Sequence, residues 1–270
     1  MRFVLAGCGG SGSWLAPSIV RLARVLREAG QDVAVTFVDP DIVEAANVPR
    51  QNFCEAEIDR PKATALAARY GAAWGLEIRA VVGRFDPNMA TVSYDEIAIL
   101  IGCVDNAAAR QSLAAALRHS TDSPSVWWLD CGNARESGQV LVGSASRVEA
   151  LQGAFRLPSV CAALPSPALQ HPELLTPLPE EVEGSSLSCE QIAVANAQSL
   201  MVNQRVAAEA ADFLLRLTVG GLRRFATYFD LNSGSARSKY TTPESVAAAV
   251  GQTPEQLFGQ PAAHSRKDKR

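Results

Sequence analysis

Gly7-Cys8-Gly9-Gly10-Ser11-Gly12 follows residues 1–6, which read as a short buried strand, and precedes residues 13–29, where Leu15, Ile19, Leu22, Val25 and Leu26 recur at helical spacing. The glycines at 7, 9 and 12 match GxGxxG. Such a turn lets the backbone bend tightly and bring anionic oxygens up to the unpaired N–H groups of the helix that follows. Pro17 is read as lying in that helix's first turn, where proline is tolerated. Gly30 stops the helix, and residues 33–38 form a second strand ending at Asp39. The chain therefore opens with a β-α-β unit. The first strand begins at Met1, so the expectation is that no targeting segment precedes it.

Strands and helices go on alternating: a helix over 62–74, strands at 77–82 and 98–103, a helix over 106–118, and strands at 126–130 and 139–143. Residues 98–103 are continuously apolar, as a central parallel strand is. This pattern predicts an α/β fold, a doubly wound Rossmann-like and mostly parallel sheet. Beyond residue 150 the pattern changes. Prolines at 158, 165, 167, 172, 177 and 179 and the acidic Glu180, Glu181 and Glu183 mark a long loop, which in a compact domain is functional or mobile. A long helix from Cys189 to about 218, a returning strand over 225–232, a small helix within 243–258 and a charged tail complete the reading. The division is a nucleotide-binding core at 1–150, a crossover loop at 151–188, a C-terminal helix and antiparallel strand at 189–260, and a solvated tail at 261–270.

With 270 residues, 47% hydrophobic and 20% charged, the chain is long enough to bury about three quarters of the surface it exposes unfolded. A net charge of −3 and a pI near 5.7 supply no basic field for nucleic acid, and the apolar runs are too short to cross a bilayer. The six cysteines form no CxxC pair, so no structural zinc is expected, and a reducing, cytoplasmic location is.

GxGxxG alone accommodates NAD, FAD, S-adenosylmethionine and ATP. The polar segment between the second strand and the next helix separates these. It carries Asp39, Asp41, Asn47, Arg50 and Gln51 and ends at Lys62. Arg50 can fork onto phosphate oxygens, Lys62 can add a point charge from a helix start, and Asn47 can donate a neutral hydrogen bond. A dinucleotide dehydrogenase has no use for that set; a triphosphate does. Asp39 is the expected acceptor for ribose hydroxyls, or else a turn residue. Asp105, before Asn106 at the end of the fourth strand, is either a magnesium ligand or the N-cap of the next helix.

The series Gly-x-Gly-Gly-x-Gly over 7–12, Asp39-x-Asp41, Asn47-x-x-Arg50-Gln51, Lys62 and Asp105-Asn106 resembles the adenylating superfamily of ThiF, MoeB and the ubiquitin-activating enzymes, over residues 3 to about 145. The resemblance implies ATP and Mg2+ as cofactors. Gly7, Gly9, Gly10 and Gly12 would form the turn, Asp39 would hold the ribose, Arg50 and Lys62 the phosphates, and Asp105 the metal and reacting centre. Two departures stand out. Asp59 occupies a position where relatives usually have a glycine shortly before the lysine, and an arginine finger from a segment ahead of the first strand has no place here.

An acyl-adenylate needs a nucleophile. Cys8, Cys54, Cys103 and Cys131 read as packing residues, whereas Cys161 and Cys189 bracket the proline-rich loop. Cys189 is preferred: Ser188 can cap the long helix, and a helix N-terminus lowers a thiol's pKa, although Glu190 partly opposes this. Cys161 is the second choice, and simple packing is the alternative for both. Ubiquitin-activating relatives carry their thioester cysteine on or beside this crossover loop. Residues 157–160, 188–189 and 198–204 further resemble the ThiF proteins of the bacterial PRTRC cassettes, which accompany a ubiquitin-like protein, a conjugating-enzyme-like protein and a peptidase. The resemblance thus implies an activating enzyme for a ubiquitin-like protein, a conjugating-enzyme-like partner and a homodimer. The rivals are an adenylating enzyme acting on a small molecule or tRNA base, an inert nucleotide-binding scaffold, and an NAD-dependent oxidoreductase.

Overall fold

The computed structural model describes residues 1–93, 95–117, 125–156, 161–177 and 189–259, with the backbone alone over 189–199. Five strands pair in parallel: β3 (Ile78–Val82), β2 (Ala34–Asp39), β1 (Arg2–Ala6), β4 (Ala98–Gly102) and β5 (Val126–Asn133), in that spatial order. Then β6 (Ser137–Gly143), β7 (Arg224–Asp230) and β8 (Ala236–Tyr240) extend the same sheet antiparallel. Chain direction away from β1 reverses between β1 and β4, so the C-terminal ends of those two strands form the switch point where such sheets hold ligands.

Alternation along the strands sorts the core into two layers. Phe3 and Leu5 of β1 face α1 (Gly10–Glu28), α2 (Lys62–Trp74) and α5 (Cys189–Val219), while Val4 and Ala6 face α3 (Ala107–Leu117) and the short turn Pro87–Ala90. After α4 (Pro167–Gln170) the turn Pro172–Leu175 packs on α3, with Gln111 Nε2 donating to Leu175 O at 2.8 Å, whereas α5 lies on the opposite layer.

The sequence reading places α2 to the residue, because alanine-rich periodicity meets Pro61 before it and Gly75, in the left-handed conformation, after it. Helix α1 starts at Gly10, three residues earlier than expected, and Pro17 is therefore in the helix interior rather than the first turn. Its missing N–H frees the Ser13 carbonyl, which instead accepts from Asn52 Nδ2 at 3.3 Å. The single helix expected within 243–258 is two, α6 (Pro243–Ala249) and α7 (Pro254–Phe258). Each opens on a Thr-Pro step whose threonine caps it, and the second step starts a new helix. Strand β8 is not foreseen: its Arg237 and Lys239 suit a sheet edge, where charge guards unpaired backbone, and dilute the apolar signal. The tail beyond 260 lies outside the described residues.

Candidate functional site

The glycine turn leaves β1 with Gly7 at φ 90° and donates Gly7 N to Val38 O at 3.0 Å. A Cβ on Gly7 would collide with the carbonyl of Cys103, and one on Gly12 with the carbonyl of Gly7. These two glycines let the ends of β1 and β4 and the start of α1 close on one another. Gly9 is different. A Cβ there would meet nothing nearer than Gln51 Nε2 at 3.8 Å, so its bare backbone opens onto a hollow in front of the α1 N-terminus. A side chain at Gly9 would take space an anion needs.

Asp39 ends β2 beside this turn and is buried. Its Oδ2 accepts from Cys8 N at 2.6 Å and its Oδ1 from Asp41 N at 2.8 Å. Burial raises the carboxyl's pKa, while those two N–H groups and Lys62 pull it back. Each oxygen keeps a lone pair for a ribose hydroxyl.

The segment that follows is tied down at both ends. The backbone pairs Lys62 N with Asp41 O at 2.9 Å, and Lys62 Nζ rests on Asp41 Oδ2 at 3.2 Å. The lysine is 6% exposed, whereas the Asp41 side chain is 64% exposed. A ligand phosphate can therefore take over the ammonium while water takes the aspartate. Arg50 is clamped through its backbone: Trp14 Nε1 donates to Arg50 O at 3.3 Å, and Asn52 N donates to Ser13 Oγ at 2.9 Å. Ser13 Oγ in turn donates to Gly10 O at 3.1 Å, linking this loop to the glycine turn. Arg69 grips Asn52 O and pairs with Glu57 at 3.2 Å. Held this way, Arg50 and Gln51 face the hollow, and Arg50 Nε and Gln51 Oε1 have no partner.

Asn47 does not line the hollow. Its Oδ1 accepts from Glu44 N, and its carbonyl takes both Arg50 N and Gln51 N, so it shapes the loop that presents those residues. Asp59, at the family's glycine position, has φ 66° and is the only non-glycine residue with positive φ among those described. Aspartate tolerates that conformation better than most side chains, so the turn survives the substitution.

At the end of β4 the two readings of Asp105 separate. Asn106 Oδ1 accepts from Ala109 N at 2.9 Å, so Asn106 caps α3. Asp105 is left exposed, touching Asn106 Nδ2 at 3.1 Å, with its carboxylate at the rim of the hollow. Behind it, Arg110 Nε reaches the fully buried Asp130 at 3.3 Å, anchoring α3 to β5. Burial lifts the Asp130 carboxyl to about 6, against the pull of Arg110 and His171.

The thiols divide by surroundings. Cys103 and Cys131 line the hollow beside each other. The Cys131 thiol is pushed well above its usual range by its hydrogen bond to Cys103 and by burial, and that of Cys8 by burial and Asp39. Cys161, half-buried, is lifted to about 11 by burial, which removes its thiolate at neutral pH. Cys189 is the first residue of α5; its side chain and its proposed cap Ser188 lie outside the described residues.

These walls enclose a cleft of ≈ 800 Å³. Beyond the expected residues it includes Arg84 and Phe85, Asn133 at the end of β5, and Asn203 from the middle of α5. Arg84 was within reach of sequence reasoning, since it follows a strand's carboxyl end; Asn203 lies within 198–204, a segment noted for its resemblance but given no role in a site. A second hollow of ≈ 740 Å³ lies on β1–β3, with Arg2, Arg27 and Arg79 among its walls, away from the glycine turn. Among the described residues no three His, Cys, Asp or Glu side chains form a metal cage. Magnesium needs none: it is held through one or two carboxylates and the phosphates themselves, and Asp105 offers one. No described helix is long and apolar enough to span a membrane.

No curated protein matches the sequence. Among solved structures, PaaA superposes with a TM-score of 0.55 at 13% identity, covering 89% of this chain and 64% of its own. E. coli MccB, crystallised with AMPCPP and MccA, gives 0.57 at 12% identity, covering 88% and 63%; crystallised with ATP it gives 0.54 at 12%, covering 93% and 67%. The chain thus spans less than two thirds of the length of PaaA and of MccB in its AMPCPP complex, and the likeness is one of fold. The profile of the ThiF family matches residues 1–157, more than half of the sequence, and the chain belongs to the ThiF family.

Proposed function

We propose that the chain is an ATP-dependent activating enzyme that adenylates the C-terminal carboxylate of a ubiquitin-like protein. The observation that carries this reading is that Arg50, Lys62 and the exposed Asp105 line one cleft with the bare backbone of Gly9. A carboxylate oxygen of the incoming tail attacks the α-phosphorus of ATP, the bond to the β-phosphate oxygen breaks, and pyrophosphate leaves. The chain's part is to position the reactants and neutralise charge. Asp39 fixes the ribose, Arg50 and Lys62 spread the phosphate charge, and Gly9 gives the phosphates backbone contact. Asp105 would hold Mg2+, which supplies further neutralisation. That E. coli MccB is crystallised with ATP and, in another structure, with AMPCPP and MccA supports a protein or peptide tail as acyl donor.

In the second step the Cys189 thiolate attacks the acyl carbon, AMP leaves with the bonding pair, and a thioester forms for handover to a conjugating-enzyme-like partner. The position of Cys189 at the first residue of α5, and the raised pKa of Cys161, support this choice. A homodimer is part of the proposal.

Incubation with ATP, magnesium and Gly-terminated small proteins, resolved by mass with and without a thiol reductant, tests both steps. An adduct lost on reduction and absent from Cys189→Ala is expected. Pyrophosphate release with no adduct would leave the first step and remove the second; no release with any acyl donor would remove the proposal.

A further inference from the structure

Asn203 stands in the middle of α5, almost two hundred residues from the glycine turn, yet its side chain is packed against it. It is fully buried and forms part of the cleft wall. Its Oδ1 accepts from Ser11 Oγ at 3.2 Å and also from Asn133 Nδ2. Two donors on one oxygen fix which way the amide faces. The Nδ2 that remains has no partner. The amide lies directly against Gly10, where a Cβ would stand 2.8 Å from both Nδ2 and Oδ1. A side chain at Gly10 would therefore have to displace the amide behind it.

A buried donor without an acceptor costs free energy, and folded proteins rarely keep one unless something else uses it. Nor is it isolated. Arg50 Nε and Gln51 Oε1, in the same cleft, are also unpartnered, and Gln51 Nε2 is the nearest group to the open face of Gly9. Amides from two remote segments therefore flank the two adjacent glycines, one beside Gly9 and one behind Gly10. An electropositive N–H held beneath an anion site needs no rearrangement to stabilise charge arriving there.

We propose that Asn203 is a binding-specificity residue of the cleft, its Nδ2 serving the phosphate chain of a nucleoside polyphosphate and not the nucleoside. The inference rests on the nucleotide reading above and adds to it a residue that neither the family match nor the glycine motif contains. It also gives the phosphate end of the site a contact on the helix that begins at Cys189. Fourteen residues separate the two, about 21 Å along the helix axis.

Asn203→Asp tests this with little change of shape. The variant keeps an acceptor for Ser11 and Asn133, removes the Nδ2 donor, and places an acid beneath the anion site. Calorimetric titration with ATP and, separately, with adenosine is the readout, with the melting temperature of the free protein as control. ATP affinity is expected to fall about 100-fold, with adenosine unchanged within about twofold. A purely structural role would weaken both ligands alike, and that result overturns the assignment, as does unchanged ATP binding. Should Asn203→Asp fail to fold, Asn203→Ser carries the same test without the charge. There ATP is expected to weaken about tenfold and adenosine not at all, and parallel or absent losses overturn the assignment. A wild-type chain that binds neither ATP nor ADP removes the nucleotide reading itself. Wild-type affinity retained in the variant removes only the role of Asn203.

Discussion

Replacing Asp130 with asparagine isolates one buried charge. Asp130 is fully buried on β5, with one oxygen on Arg110 at 3.3 Å and the other unpartnered. Its carboxyl is held at about 6, up from an ordinary 3.8, chiefly by burial. Between those two values the folded chain holds a proton that the unfolded chain has released, so stability falls as pH rises through that window and is level above it. The whole difference is worth about 3 kcal/mol, and about 1.4 kcal/mol of it is expressed between pH 5.0 and 7.5. The substituted amide would not titrate, and its oxygen can still accept from Arg110, so the arginine keeps a partner. Groups that do not act on Asp130 titrate in both proteins and cancel to first order, and His171, whose charge does act on it, is replaced by glutamine in both proteins to remove its share. Urea unfolding of this pair at about pH 5 and pH 7.5 should therefore show Asp130→Asn gaining about 1.4 kcal/mol on the protein that keeps Asp130 as pH rises. A stability difference independent of pH would refute the buried, proton-holding carboxyl.

Other substitutions probe how the cleft is held. Gly12→Ala forces a methyl into the Gly7 carbonyl and should cost about 1–3 kcal/mol, read by denaturant unfolding. Gly9→Ala meets nothing within 3.8 Å, so its stability cost should be about 1 kcal/mol or less while ATP titration shows the loss. Asn52→Ala leaves the Ser13 carbonyl without the partner that Pro17 obliges it to find, and should destabilise by about 1–2 kcal/mol. Adding Pro17→Ala restores a helical N–H for that carbonyl and should recover part of the loss, a coupling measurable as a double-mutant cycle. Asp59→Gly relieves the left-handed strain but frees the unfolded chain, so its net stability change should stay within about 1 kcal/mol.

What the sequence reveals follows from where each signal is stored. The order of β1 to β5, the bounds of α2 and the placing of Asp39, Arg50, Lys62 and Asp105 around one turn are written locally, in apolar periodicity, capping and the GxGxxG spacing. Strand β8 is not, because its stability comes from pairing with β7 at a charged edge and not from an apolar run. Asn47 shows a different limit. Its residue type suits a phosphate donor and a loop organiser equally, and only the hydrogen bonds to Glu44, Arg50 and Gln51 decide. Asp105 and Asn106 pose the same question in reverse, since either could cap α3 and geometry gives the task to Asn106. Asn203 is the extreme case. It lies in the segment 198–204 that carries a resemblance, yet an asparagine inside a long helix shows no task of its own until folding sets it against Gly10.

The central claim is that the cleft is built for a triphosphate and not for a dinucleotide. Calorimetric titration of the chain with ATP–magnesium and with NAD, repeated on the Arg50→Ala/Lys62→Ala double variant, tests it most directly. The account predicts ATP binding that the double variant loses by about 100-fold or more, and no measurable NAD binding. Tighter binding of NAD than of ATP, or ATP binding untouched by removal of both cations, would contradict it.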